Sequence, residues 1–254
     1  MKRNTKKKET RSIVVYGYKS EDIKKIIEQL KPDFAPNLKV SSKTTYGLST
    51  ITIEGSEGGI ELLRFNVSKT HRLLCEYLKD SILSTEDKTL SEILGTRLIE
   101  NELTISTAES CTGGNIANRI VQTAGSSAYF LGSVVSYSNQ AKAEILNVSR
   151  QILDEKGAVS KETTEAMVEG ISNLMHSDCA IAISGIAGPS GGSKEKPVGT
   201  VWITVKCQDN THSECSYFKG NRNDIMEAAT TKAIVMMISF IKEKFTLIEE
   251  SNDE

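Results

Sequence analysis

Apolar and polar positions follow two periods along this chain, that of helices and that of strands, and the order in which they appear outlines two regions. Ile13–Tyr16 is a short β-rich run, Ser20 is placed to cap a helix, and Ile23, Ile26, Ile27 and Leu30 share one helical face. Pro32 and Pro36 end that helix. Leu48–Ile53 alternates as a half-buried strand does, Glu54–Gly59 reads as a tight turn, and Ile60, Leu62 and Phe65 read as the returning arm of a hairpin. A second helix follows, with Leu73, Leu74, Tyr77 and Leu78 on one face and His71 at its surface. The order β-α-β-β-α predicts a small α+β domain over residues 12–85, with helices on one face of a sheet.

Ser84–Lys88 is polar and charged, as a linker is. Beyond it Leu90, Ile93, Leu94 and Leu98 mark a helix, and helical and strand patterns then alternate. Helices are predicted near 114–123, 139–147, 160–176 and 222–245, and strands near 103–107, 133–138, 178–184, 199–207 and 214–219. Such alternation predicts a layered α/β domain over residues 86–246, with helices covering a largely buried sheet. Ala180–Ile183 has the continuous apolar character of a central strand, and Met226, Met236 and Met237 read as core filling on the last helix. Residues 247–254 form an acidic tail expected to fray, and residues 1–11 a basic arm expected to be solvated and disordered.

Composition narrows the partners. The 254 residues carry a formal net charge of −2, which gives no electrostatic case for nucleic acid. No run approaches a membrane span, and the lysine-rich start is too polar for a signal peptide. The five cysteines lack C-x-x-C spacing, so reduced thiols in a soluble, cytoplasmic protein are expected. The three histidines have no ligand spacing, and no metal site is expected.

Candidate chemistry gathers between Thr107 and Lys142. Glu109-Ser110-Cys111-Thr112-Gly113-Gly114 lies where a strand meets a helix, so its N–H groups can hold a phosphate or carboxylate, with Ser110 and Thr112 assisting. Simple N-capping by either hydroxyl explains the same residues. Cys111 reads as a small buried thiol. Ser127, at the mouth of a short helix, is placed either to cap it or to attack a carbonyl among oxyanion-stabilising donors. Tyr137-Ser138 leads into a helix bearing Lys142. That lysine is either a solvated side chain or, with its pKa pushed down by helix dipole, burial or a nearby cation, a general base in a Ser–Lys dyad. A glycine-rich loop through Gly188 follows the apolar strand and returns at Lys196–Thr200, where open α/β sheets bind ligands. No Walker pattern is present. Arg222 opens the last helix and can fork onto a phosphate or make an exposed ion pair.

Together T-A-E-S-C-T-G-G, A-G-S-S-A-Y-F, S-Y-S-N-Q-A-K, K-G-A-V-S, A-I-S-G-I-A-G-P-S-G-G and K-P-V-G-T-V-W resemble the CinA C-terminal family, whose enzymatically active members are nicotinamide-nucleotide amidases. Residues 12–85 resemble, more weakly, the KH-type middle domain of full-length CinA proteins. Their molybdopterin-binding-like domain has no counterpart in this sequence, so the pyrophosphatase activity associated with it is not expected. The resemblance implies Ser127 as nucleophile, Lys142 as its base and Tyr137 as a helper in the proton path. Ser110, Thr112, Gly113, Gly114, Gly188 and Thr200 would line the substrate site, and Arg222 would hold the nucleotide phosphate. Asn221 and Asn223 stand where the family's last motif usually carries acidic residues, a departure that bears on how Arg222 is oriented. A small-molecule nucleotide substrate, no cofactor and self-association are implied. The alternatives are a non-catalytic nucleotide-binding or regulatory module, and a Ser–Lys hydrolase of another amide.

Overall fold

The computed structural model describes residues 8–56 and 59–252, with side chains through residue 244. The chain divides into two compact units, residues 1–89 and 90–254.

The first unit runs β1 (Glu9–Tyr16), α1 (Ser20–Leu30), β2 (Leu38–Thr45), β3 (Leu48–Gly55), α2 (Ile60–Leu78) and β4 (Ile82–Ser84), with an antiparallel sheet in the order β2-β3-β1-β4. Ile23, Ile26, Ile27 and Leu30 are buried as their spacing requires, although Lys19 rather than Ser20 is the residue capping α1. The hairpin is formed earlier than expected. Thr45 pairs with Leu48 across the two residues Tyr46 and Gly47, both at positive φ, which is the turn geometry that matches strand twist. Ile60, Leu62 and Phe65 are therefore not a hairpin arm. They open α2, whose buried stripe is Leu63, Val67, Leu74 and Leu78, while Leu62 and Phe65 face solvent. His71 is buried on this helix rather than at its surface, and burial lowers its pKa. Arg11, expected in the disordered arm, lies in β1; residues 1–7 of that arm are outside the described residues.

The second unit runs α3 (Leu90–Glu100), β5 (Ile105–Glu109), α4 (Asn115–Val121), β6 (Phe130–Val135), α5 (Asn139–Leu146), α6 (Arg150–Glu155), α7 (Lys161–Met175), β7 (Cys179–Gly185), β8 (Thr200–Cys207), β9 (Asn210–Tyr217) and α8 (Arg222–Asn252). Its sheet has the order β6-β5-β7-β8-β9; the first three strands are parallel and the last three antiparallel. The mixed α/β architecture is the one the alternation of patterns predicts. β6 ends three residues before the expected strand does, which leaves Ser136, Tyr137 and Ser138 free to form a turn. α8 continues through Asn252, into the residues expected as an acidic tail. Among the described residues no helix is long and apolar enough to cross a membrane.

β5 and β7 are buried along almost their whole length, as central strands are. On one face Ala180 and Ala182 pack with Met167, Val168 and Ile171 of α7 and with Leu146 at the end of α5. α5 approaches α7 at Gly170, where any Cβ would fall on the carbonyl oxygen of Leu146. Since a backbone atom cannot swing aside, Gly170→Ala is expected to destabilise the domain by roughly 2–4 kcal/mol, read as a lower denaturant midpoint in chemical unfolding. A wild-type midpoint would contradict this packing.

Candidate active site

The parallel strands β5, β6 and β7 end along one edge of the sheet, where loops meet helix starts, the usual place for ligands in α/β sheets. Ser110 follows β5, Ser136 and Tyr137 follow β6, and the glycine-rich loop follows β7.

Lys142 is the largest fully buried side chain among the described residues. Ser138 caps α5 by accepting the Ala141 N–H at 3.0 Å, which places Lys142 one turn into the helix, and the side chain reaches back toward the strand ends. Its Nζ lies 3.0 Å from Ser110 Oγ, 2.7 Å from the Ser136 carbonyl and 3.5 Å from the Tyr137 carbonyl. Among the described residues it makes no ion pair. Burial, one of the causes considered from the sequence, pushes its pKa down to about 8, and the nearby Cys111 works in the opposite direction. As an ammonium Nζ donates to all three oxygens; the same positions also accommodate the neutral amine. Two N–H bonds can point at two carbonyls, leaving the lone pair to accept the Ser110 hydroxyl proton.

No hydrogen bond joins Ser127 to Lys142 among the described residues. It stands exposed in the single 3₁₀ turn Ser126–Ala128, without a side-chain hydrogen bond among the described residues. The serine that the structure joins to the lysine is Ser110, expected only as a lining residue.

The anion cradle at the start of α4 is also filled differently from the expectation. The carboxylate of Glu109, fully buried, accepts N–H bonds from Gly114 and Ile116 at 3.1 Å and from Ala117 at 2.8 Å, and the Thr112 hydroxyl at 2.7 Å. The protein's own anion thus occupies the helix N-terminus, where its charge meets the positive end of the dipole. Gly113 and Gly114 sit at φ +64 and +102, the left-handed geometry that turns the backbone back toward that carboxylate. Cys111 is buried, its thiol pushed up to about 12 by desolvation, so it is no competitor as nucleophile.

Arg222 joins two other expected residues. Its guanidinium donates to the Gly188 carbonyl at 2.7 Å and to the Tyr137 hydroxyl at 3.1 Å, and its charge is felt at Cys111, next to Ser110. The two asparagines beside it do not dislodge it. Asn221 Oδ1 accepts the N–H groups of Asn223 and Asp224, and Asp224 accepts the Asn221 N–H, so the Asn221 amide caps α8. Thr200 opens β8, buried, with its N–H donated to Pro197.

The family model of the CinA C-terminal domain matches residues 87–241. The chain belongs to the CinA family. A CinA-like protein of Endomicrobium trichonymphae is 41% identical over 217 residues, covering 83% of this chain and 51% of that protein. A putative competence-damage inducible protein of Clostridium beijerinckii is 39% identical over 219 residues, covering 86% of this chain and 52% of its own length. The chain therefore spans about half the length of the curated relatives it matches. Among solved structures, a CinA superfamily protein of Klebsiella pneumoniae is similar at TM-score 0.59 and 32% identity, over 61% of this chain and 99% of that one. A competence/damage-inducible protein of Agrobacterium tumefaciens is similar at TM-score 0.56 and 39% identity, over 60% and 96%.

In this CinA domain, Glu109 and Ser136 are the site residues that sequence reasoning passed over. An acid at the end of a strand, four residues ahead of a glycine pair at a helix start, was the available signal for Glu109. Ser136 acts through its carbonyl, which no side-chain motif reports, and its buried hydroxyl has no partner among the described residues.

Holding Lys142 in the core has a cost that pH should expose. Its folded pKa, about 8, lies below its unfolded value of about 10.4, so the unfolded chain binds more protons between those limits and stability rises with pH across them. Below pH 8 the penalty is about 3 kcal/mol. Lys142→Met is expected to be more stable than wild type at pH 7, with the difference shrinking toward pH 10.5 in urea titrations. A difference that is flat with pH would show that the lysine titrates normally.

Proposed function

We propose that this CinA domain hydrolyses the carboxamide of nicotinamide mononucleotide to nicotinate mononucleotide and ammonia, with Ser110 as nucleophile in place of Ser127 and Lys142 as its base. The observation that carries the reading is the 3.0 Å contact between Ser110 Oγ and the buried amine of Lys142. A serine needs a neutral base within hydrogen-bond reach, and a lysine with a pKa of about 8 supplies one in roughly a tenth of molecules at pH 7.

Neutral Lys142 takes the Ser110 proton as the oxygen attacks the amide carbon. The resulting oxyanion falls near the turn after β5, where the N–H groups of Cys111 and Thr112 have no backbone acceptor among the described residues. Protonated Lys142 then delivers its proton to the departing ammonia. Water, activated by the same amine, hydrolyses the acyl-enzyme on Ser110 and releases the carboxylate. A pyridinium ring beside Nζ would disfavour the ammonium further, so the substrate would help to generate its own base. Arg222 has N–H donors beyond those engaged with Gly188 and Tyr137, which suits it to the 5′-phosphate. Tyr137 then serves as a brace for that arginine, in place of the proton-relay role implied by resemblance.

Ammonia release from nicotinamide mononucleotide tests this directly. Ser110→Ala is expected to lower kcat at least a thousandfold and Ser127→Ala to stay within about threefold of wild type. Wild-type kcat/KM should rise with pH through a half-maximum near pH 8 and level off about one unit above it, as the amine loses its proton. Full activity in Ser110→Ala, or a loss confined to Ser127→Ala, would overturn the assignment; no ammonia from the wild-type protein would favour a non-catalytic role.

A further inference from the structure

At the end of the sheet away from Ser110, β7 and β8 bring two cysteines face to face. Cys179 opens β7, Cys207 closes β8, and the strand register pairs them directly. The backbone shows which kind of pair this is. Gln208 N–H donates across the gap to the Asp178 carbonyl at 2.7 Å, whereas Cys179 N–H points the other way, to the Thr104 carbonyl at 2.8 Å. Cys179 and Cys207 are thus a non-hydrogen-bonded antiparallel pair, whose Cα atoms approach to about 4.5 Å. That is within the roughly 4.4–6.8 Å that a disulfide bridges. Their sulfur atoms lie 2.8 Å apart, and both residues are completely buried.

We infer that Cys179 and Cys207 are a reversible dithiol–disulfide site, oxidised by small peroxides and restored by thiols. The two sulfurs are not equivalent. The Cys179 S–H donates to Cys207 and, with the Lys244 ammonium nearby, favours the Cys207 thiolate against its burial; Cys179, whose proton is engaged, is held in the thiol form. Lys244 is fixed there by its hydrogen bond to the Cys207 carbonyl at 3.0 Å. Cys207 is therefore the attacking sulfur.

The Cys207 thiolate attacks one peroxide oxygen, the O–O bond breaks, and hydroxide leaves, giving a sulfenic acid on Cys207. Cys179 sulfur then attacks the Cys207 sulfur, its proton goes to the departing hydroxyl, and water leaves. Overall two thiols lose two electrons and two protons, and one hydrogen peroxide becomes two waters. Because the pair sits at strand ends, fraying of the last residues is enough to admit so small an oxidant. The new bond would close a covalent ring from residue 179 to residue 207. That ring contains the whole glycine-rich loop, including Gly188, which holds Arg222. The inference rests on strand pairing and stands whether or not the chain is an amidase.

The test uses the full chain with Cys75→Ser and Cys215→Ser, which removes the two cysteines that are not buried and leaves three. After hydrogen peroxide, titratable thiols in denaturant should fall from three to one, with a mass loss of two hydrogens. A non-reduced digest should contain a peptide joining Cys179 to Cys207, and dithiothreitol should restore all three thiols. Adding Cys207→Ala, or Cys179→Ser if that variant folds poorly, should abolish the linked peptide. Three thiols surviving oxidation, a linkage through Cys111, or oxygen addition without a linkage would each overturn the site.

Discussion

Everything in the candidate site turns on one constraint, the burial of a lysine amine without a carboxylate to neutralise it. In water an amine of this kind stays protonated at neutral pH and cannot serve as a base. Enclosed beneath the ends of β5 and β6, with carbonyls from Ser136 and Tyr137 and a hydroxyl from Ser110, Lys142 loses hydration that those three partners do not fully replace. The destabilised ammonium is what makes a useful base. Stability and reactivity are therefore set against each other at one side chain.

The rest of the domain supports that arrangement. The oxygens of Glu109 are taken up by the N–H groups of Gly114, Ile116 and Ala117 and by the Thr112 hydroxyl, and none of the described hydrogen bonds joins them to Nζ. A carboxylate turned instead toward the amine would form an ion pair and raise its pKa. The same hydrogen bonds fix the turn that carries Ser110, so one acid both anchors that serine and leaves the Lys142 amine without a carboxylate partner among the described residues. On the opposite side, close contact at Gly170 lets α5 lie against α7, and α5 delivers Lys142.

Much of the fold was legible because its signals are periodic. The face Ile23, Ile26, Ile27 and Leu30, and the apolar run Ala180–Ile183, depend only on which side of an element is buried. The hairpin was misplaced because a two-residue Tyr46-Gly47 turn is weak in composition, while Ile60 and Leu62 imitate a strand over a span too short to show helical period. Local positions in the candidate site were legible: Ser138 caps the helix that carries Lys142, and Arg222 opens the last helix. Pairing was not. Ser127 and Ser110 both precede a helical turn, and only the parallel ordering of β6 beside β5 places Ser110, thirty-two residues away, against the lysine. Glu109 was hidden for a related reason, since a fully buried acid is recognisable only once its donors are in place.

The protonation state of one nitrogen tests this account most directly. Lysine-specific isotope labelling, with Lys142→Met to assign the resonance, would follow the Lys142 side chain through a pH titration by NMR. A midpoint near 8 is the expected result. A midpoint near 10.5, with the amine charged throughout the neutral range, would contradict it and remove the base from beside Ser110.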